Sequence, residues 1–214
     1  SAADALAQII AKLEAIKAAI ENNAADVVAV MTTEKNVGDE IELKFSPLDV
    51  PMLMGATEIS SKLESTWVVR KYKLTSKKIS IRGKVTLLNC SNNQISSLNL
   101  SKNTELEHLL CNSNQLTSLD LSQNKKLTVL ECRSNQLTSL NLSQNAQLTV
   151  LACDSNKLTS LEVPSVSGDS KQINFKLQVD GNKLSPEQVN AIKGKHWKVL
   201  KYEGTNWVDY TGEQ

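Results

Sequence analysis

Leucine and polar residues follow one fixed pattern from residue 85 to residue 163, and the pattern returns every 21 residues. Its template is L-x-x-L-x-C-x-x-N-x-L-x-x-L-x-L-x-x-N-x-x, with Val85 in place of the first leucine. Self-similarity at a period of roughly 20 to 29 residues, with leucines at set offsets, is typical of a leucine-rich repeat solenoid. The pattern therefore predicts about four stacked coils.

Each half of the repeat predicts one wall of the solenoid. In the L-x-C triplet, Leu and Cys point inward and the residue between them points outward, as in a strand. Stacked coils place these strands side by side in a parallel sheet with a spacing of about 4.8 Å. The second half is rich in Ser and Thr, which disfavour a helix. We therefore expect a parallel sheet on one wall and extended or 3₁₀ structure, without α-helices, on the back wall.

Two inward columns carry asparagine and cysteine. A buried backbone group without a partner costs roughly 1 to 3 kcal/mol, and an Asn side chain can both donate to and accept from neighbouring coils. Zinc ligands usually come in pairs about two to four residues apart, so cysteines at a spacing of 21 do not fit a metal site. Disulfides between coils are compatible with the coil spacing, but parallel side chains fit the disulfide torsion poorly, and we expect free buried thiols. These columns are Cys90, Cys111, Cys132 and Cys153, then Asn93, Asn114, Asn135 and Asn156, with Asn103, Asn124 and Asn145 at the second corner.

An apolar stripe predicts a helix over residues 4–22. Its members are Leu6, Ile9, Leu13, Ile16 and Ile20, at spacings of 3, 4, 3 and 4, which place them on one helical face. One interpretation packs this helix on its own domain. The other makes it a short coiled coil or a stalk leading to a membrane anchor, because the spacing is heptad-like.

Both flanks of the repeats differ from them in composition, because all eight aromatic residues and all eight glycines lie outside residues 85–163. Period-two alternation predicts strands at residues 27–32, 41–45, 67–69, 72–74 and 79–81. After Pro164, alternation predicts a strand at residues 173–179, a helix capped by Ser185, and extended structure at residues 197–202. Because a solenoid exposes apolar ends that must be covered, we expect an α/β solenoid in four segments: an N-terminal helix (1–24), a β cap (25–84), the repeats (85–163) and a C-terminal α/β cap (164–214).

Charge and motifs exclude several classes of function. The net charge is +1, and the repeats hold six acidic against five basic residues, so there is no basic stripe for nucleic acid. No apolar run is long enough to span a membrane, and no signal peptide is recognisable in this chain. Phosphate-binding, nucleophile-elbow and metal-protease motifs are missing. We therefore predict a protein that is not an enzyme and has no cofactor and no metal.

The inward cysteine at a spacing of 21 resembles the internalin-type bacterial leucine-rich repeats that carry a cysteine ladder. Two further segments are similar to sequences in repeat lipoproteins exported by gut Bacteroidetes. They are Leu-Thr-Ser-Leu-Asp-Leu-Ser-Gln-Asn and Asn-Lys-Leu-Ser-Pro-Glu-Gln-Val. The resemblance implies an exported or surface-attached protein that binds another macromolecule, and the likeness to lipoproteins implies a lipid anchor. It implies no catalytic residues.

The outward positions of the repeat are the only ones that vary freely, and solenoids often bind ligands through such a concave face. We predict a protein- or glycan-binding surface there, while the alternative is a merely solvated face. A second hypothesis is a structural spacer or self-associating element that uses the N-terminal helix, with the oligomeric state left open. The candidate binding residues are Asn89, Ser91, His108, Leu110, Asn112, Val129, Glu131, Arg133, Val150, Ala152 and Asp154.

Overall fold

The computed structural model describes residues 6, 8–13, 27–46, 52–64, 67–165, 176–203 and 206–211. Within them the chain forms a β-solenoid of about four turns with parallel pairing and few helices. Residues 8–13 are helical, in agreement with the predicted helix; Ile16 and Ile20 lie outside the described residues. The division into four segments stays a prediction.

The N-terminal segment is built from strands. Those predicted at residues 27–32, 41–45 and 67–81 are confirmed, with the two short strands at 67–74 merged into one. The long strand over residues 56–64 was not predicted. The six strands are β1 (Val27–Thr33), β2 (Glu40–Ser46), β3 (Met52–Met54), β4 (Ala56–Glu64), β5 (Trp67–Leu74) and β6 (Lys78–Arg82).

The repeats stack in parallel register, as predicted. Leu88, Leu109, Leu130 and Leu151 are partners across neighbouring coils and are buried at 1% exposure or less. The back wall is extended and holds no helix within residues 85–165, although the stretch 116–121 forms no strand. The strands are β7 (Leu87–Asn89), β8 (Ile95–Asn99), β9 (His108–Leu110), β10 (Val129–Glu131), β11 (Ser139–Asn141), β12 (Val150–Ala152) and β13 (Ser160–Glu162).

The parallel sheet continues beyond residue 163, where the repeats were expected to end. The predicted strand there is confirmed at residues 176–178; Ile173 and Phe175 lie outside the described residues. The Ser185 Oγ accepts a hydrogen bond from the Gln188 backbone N–H at 3.3 Å, which confirms the predicted helix start. The elements are β14 (Lys176–Gln178), α1 (Pro186–Lys193), β15 (Lys198–Glu203) and β16 (Asn206–Asp209). β14 pairs parallel with β12, and β15 pairs parallel with β14.

One ten-stranded sheet runs through the N-terminal β segment, the repeats and the C-terminal segment. Its strand order is β16-β15-β14-β12-β10-β9-β7-β2-β5-β4. At its N-terminal side, β2 pairs antiparallel with β7. On the back wall, β1 pairs antiparallel with β8. The buried side chains of the N-terminal segment, the repeats and the C-terminal segment form one hydrophobic cluster. The two compositions along the chain therefore share a single core.

Candidate binding surface

The outward side chains of β7, β9, β10 and β12 lie on one face of the ten-stranded sheet, named here the outer face. Because the central leucine of each strand is buried, the residues on either side of it point outward. The residue before the leucine gives one row across the coils, and this row is half-buried and mainly apolar. Its members, in register, are Leu87, His108, Val129 and Val150.

A polar row lies on the same face, at the position after each cysteine. Its members are Ser91, Asn112, Arg133 and Asp154. The Asn112 Nδ2 donates to Glu131 Oε2 at 3.0 Å, and the Arg133 N–H donates to Asn112 Oδ1 at 2.9 Å. The Ser91 Oγ accepts from the Asn112 N–H at 3.1 Å. These contacts link successive coils through side chains, so the polar row is ordered before any ligand arrives. Asn89 and Leu110 lie between the two rows and are half-buried.

Two of the predicted binding residues are not accessible, which corrects the prediction for them. Ala152 is 2% exposed and Asp154 is 8% exposed. The prediction treated the coil of β12 as the last one, but β14 pairs with β12 and places Gln178 beside Ala152. Asp154 is covered further by Arg133, whose Nε lies 3.2 Å from Asp154 Oδ1. The accessible part of the predicted surface therefore ends near Arg133 and Val150.

The burial of Asp154 has an electrostatic consequence. Removal from water raises the pKa of its carboxyl group to about 6, against the opposing effect of Arg133 and with a further contribution from Asp180. A buried carboxyl group is harder to ionise because its charged form loses hydration. Asp154 therefore changes its charge near pH 6, beside Arg133.

The cysteine column is structural in character. Cys90, Cys111, Cys132 and Cys153 form no disulfide with one another and are fully buried. Loss of hydration raises the pKa of Cys90 and of Cys132 to about 12, and those of Cys111 and Cys153 well above their usual value. Because the thiolate is the reactive form, these groups act as small apolar side chains.

The asparagine column joins coils as predicted. The Asn135 Nδ2 donates to the carbonyl groups of Cys111 and Cys132, at 3.0 and 3.1 Å, and its Oδ1 accepts from the Leu116 N–H at 3.0 Å. At the N-terminal end, Asn93 makes the equivalent bonds with the backbone of Glu42 in β2. An antiparallel strand thus takes the place of a preceding coil.

Sequence reasoning missed several residues of the outer face. Leu87 precedes a predicted strand by one position and belongs to the same row as Val129. Lys44 is paired with Asn89, and Val69 is paired with Lys44, so the face extends into the N-terminal segment. Trp67 lies on it as well, with the Lys44 Nζ 5.8 Å from the centre of its ring. Alternation within β5 was visible in the sequence, but its placement beside the repeats was not.

Among the described residues, no group of three or more His, Cys, Asp or Glu side chains is placed to hold a metal ion. Within the same residues, no helix has both the length and the apolar character needed to cross a membrane. The outer face carries the apolar row, the polar row and the Trp67 ring.

No family model matches this chain, and no curated protein does. Among solved structures, it is similar to the functional domain of InlJ from Listeria monocytogenes, which is described as including a cysteine ladder. The two sequences are 36% identical, the match covers 53% of this chain and 25% of that chain, and the TM-score is 0.41. InlJ is internalin-like, the type of protein that the repeats resemble, and the likeness to Bacteroidetes lipoproteins stays a prediction.

Proposed function

We propose that the chain is a non-enzymatic module that binds a protein partner through the outer face, as part of an exported or surface-attached bacterial protein. The observation that carries this proposal is the presence of the apolar row and the pre-ordered polar row, with Arg133, on the same face. Protein interfaces combine an apolar centre with a polar rim, and Arg and aromatic residues are enriched in them. Val129 and Arg133 lie at the middle of this arrangement.

The size of the surface supports a protein as the partner. Four coils alone span about 20 Å, which is short for a stable interface. The six neighbouring strands from β5 to β12 span roughly 29 Å at the usual strand spacing. A standard interface covers about 800 Å² on each partner, and the N-terminal strands β2 and β5 extend the surface of the repeats toward that size.

A glycan is the less favoured ligand. Aromatic rings provide large flat apolar surfaces, and the repeats contain none. The half-buried Trp67 lies at one end of the face. The rows at the centre of the face are therefore better suited to the side chains of a protein than to the ring of a sugar.

The test uses a displayed random peptide library and a glycan array as probes. Peptides selected on the unaltered chain are expected to lose at least tenfold in affinity when Val129→Asp or Arg133→Glu is introduced. Lys125→Glu serves as the matched control, since it reverses an exposed positive charge elsewhere on the repeats and is expected to leave binding unchanged. Thermal unfolding confirms that each variant is folded. Binding that none of these changes affects, or glycan binding that Val129→Asp abolishes, would argue against the proposal.

A second candidate function is self-association through the N-terminal helical residues. The observation that favours it is the exposure of the apolar stripe: Leu6, Ile9 and Leu13 are each more than half exposed. The stripe therefore does not pack on its own domain at these positions. Light scattering on the full chain and on a chain that lacks residues 1–24 tests this candidate, and loss of association on truncation is the expected result.

A further inference from the structure

The exposed apolar side chains are concentrated at the N-terminal end of the chain. After position 63, no large exposed hydrophobic side chain occurs among the residues whose side-chain burial the structure describes. Scattered exposed apolar residues are normal, but several on one face of a helix form a contiguous apolar surface of the kind that marks an interaction site. Those present are Leu6, Ile9, Ile10, Leu13, Val37, Met52, Met54, Ile59 and Leu63.

Four of these side chains lie on the N-terminal helical residues and define a heptad. The step of three from Leu6 to Ile9 and of four from Ile9 to Leu13 makes Leu6 and Leu13 a positions and Ile9 a d position. The sequence continues the pattern with a d position at Ile16 and an a position at Ile20. Ile10 then falls at an e position, and it is 48% exposed.

We propose that this face is covered by other copies of the same chain, and that three or four helices, rather than two, form the bundle. This inference rests on the self-association candidate and adds the copy number to it. The a and d positions of this stripe form a seam, and a seam with a seven-residue period packs against another seam of the same period. A second copy of the stripe therefore fits it without any further assumption about shape.

The identities of the seam residues set the copy number. Leu at a positions with Ile at d positions favours three or four strands, whereas β-branched residues at a with Leu at d favour two. An apolar e position widens the face beyond a two-stranded seam to the width found in helical bundles. Ile10 provides that extra width. The helix predicted over residues 4–22 spans fewer than three heptads, and burial against several neighbours would offset this short length.

The first experiment measures the mass of the full chain by light scattering at roughly 5 to 200 µM, since association depends on concentration. The expected mass is three or four times the 23.5 kDa of one chain. Ile9→Glu is expected to give a monomer. Gln8→Glu is the matched control, because residue 8 is also exposed and helical but lies at a c position, outside the seam.

The second experiment exchanges the seam residues without changing composition. The combined variant Leu6→Ile, Ile9→Leu, Leu13→Ile and Ile16→Leu places Ile at a and Leu at d. It is expected to lower the mass to that of a dimer. The thermal unfolding of the repeats is expected to stay unchanged, because the described members of the stripe are exposed.

Other results would contradict the copy number, the self-association or the contact surface. A dimer of the unaltered chain would contradict the copy number but keep self-association. A monomer at every concentration would contradict both. Association that survives Ile9→Glu but is lost with Leu63→Lys would assign the contact to edge strand β4 and overturn the proposal. Peptide binding by the outer face is read independently, through Arg133→Glu.

Discussion

The asparagines of the two corners differ in what their removal would leave behind. The Asn135 side chain donates to the carbonyl groups of Cys111, Cys132 and Arg133 and accepts from the N–H of Leu116. Asn145 donates to the Leu121 and Asn124 carbonyl groups, but its Oδ1 is buried and has no hydrogen-bond partner among the described residues. An unmade bond to a buried group costs more than a made bond contributes. The two columns therefore stabilise the solenoid unequally.

Asn135→Ala is expected to lower the free energy of unfolding by about 3 kcal/mol, because it orphans a buried donor and buried acceptors. Asn145→Ala is expected to cost about 1 kcal/mol, because it also removes an oxygen that was already unpaired. Urea unfolding of both variants measures the difference. Equal losses would mean that the Leu116 N–H bond to Asn135 contributes nothing.

The four thiols are expected to resist alkylation in the folded chain. Burial raises the pKa of Cys90 and of Cys132 to about 12, so almost no thiolate is present at pH 8. Mass spectrometry after iodoacetamide treatment should find no adduct in buffer and four in concentrated guanidinium chloride. Fewer than four adducts after unfolding without a reductant would show that a disulfide had formed.

Asp154 is expected to make stability fall as pH rises. The folded chain keeps the proton up to about pH 6, against an ordinary value of 3.8, so between these values the folded state binds more protons than the unfolded state. Asp154→Asn should therefore match the unaltered chain near pH 4 and exceed it by on the order of 1 kcal/mol above pH 6, after allowance for solvent screening. Urea unfolding at several pH values measures this.

Asp120→Asn is the control for that pH dependence. The Ser122 backbone N–H, which donates to Asp120 Oδ1 at 2.9 Å, lowers the pKa of this exposed carboxyl group. Its ionised form is favoured in the folded chain, so its contribution is lost as pH falls and has the opposite sign. The same slope in both variants would contradict the assignment to Asp154.

At the scale of elements, the local alternation of the sequence was sufficient for some strands and not for others. β1 and β2 carry buried residues at every second position, and both were predicted. β4 is exposed along nearly all of its length, so it has no apolar alternation that could have revealed it. Its pairing with β5 and the turn at Gly55 hold it in place, and neither is readable from periodicity.

Gly55 is expected to be required by that turn. Its φ is +89°, and a Cβ atom there would lie 2.2 Å from the Lys78 carbonyl oxygen. Gly38 has a similar φ of +98° but open space around it. Gly55→Ala should therefore lower the free energy of unfolding by about 3 kcal/mol, and Gly38→Ala by about 1 kcal/mol. Comparable losses in thermal unfolding would mean that the backbone adjusts around Lys78.

At the scale of the whole molecule, the repeat was predictable from the sequence, but the number of strands that extend its sheet beyond residues 85–163 was not. Leu177, Val179, Asn182 and Leu184 have the same relative spacing as Leu151, Cys153, Asn156 and Leu158. Valine in place of cysteine and an interval of 26 instead of 21 concealed this match. Only the pairing of β14 with β12 reveals it. The N-terminal continuation through β2 is antiparallel, so no repeat of sequence could have indicated it.

Substitution of Asn182 tests whether the C-terminal segment is stabilised as a continuation of the solenoid. Its Nδ2 donates to the Cys153 and Val179 carbonyl groups, both at 2.8 Å, and its Oδ1 accepts from the Leu158 N–H at 2.9 Å. These are the bonds that Asn135 makes two coils earlier. Asn182→Ala is therefore expected to cost about 3 kcal/mol.

The matched control is Asn190→Ala on the exposed side of α1, which should change the free energy of unfolding by less than about 0.5 kcal/mol. Urea unfolding should also show a single transition for the Asn182 variant, because the segments share one core. Two transitions, or a loss as small as that of the control, would mean that the C-terminal segment is stabilised separately from the repeats. A loss of unfolding free energy equal to that of Asn135→Ala would show that Asn182 stabilises the solenoid as the asparagines of the repeats do.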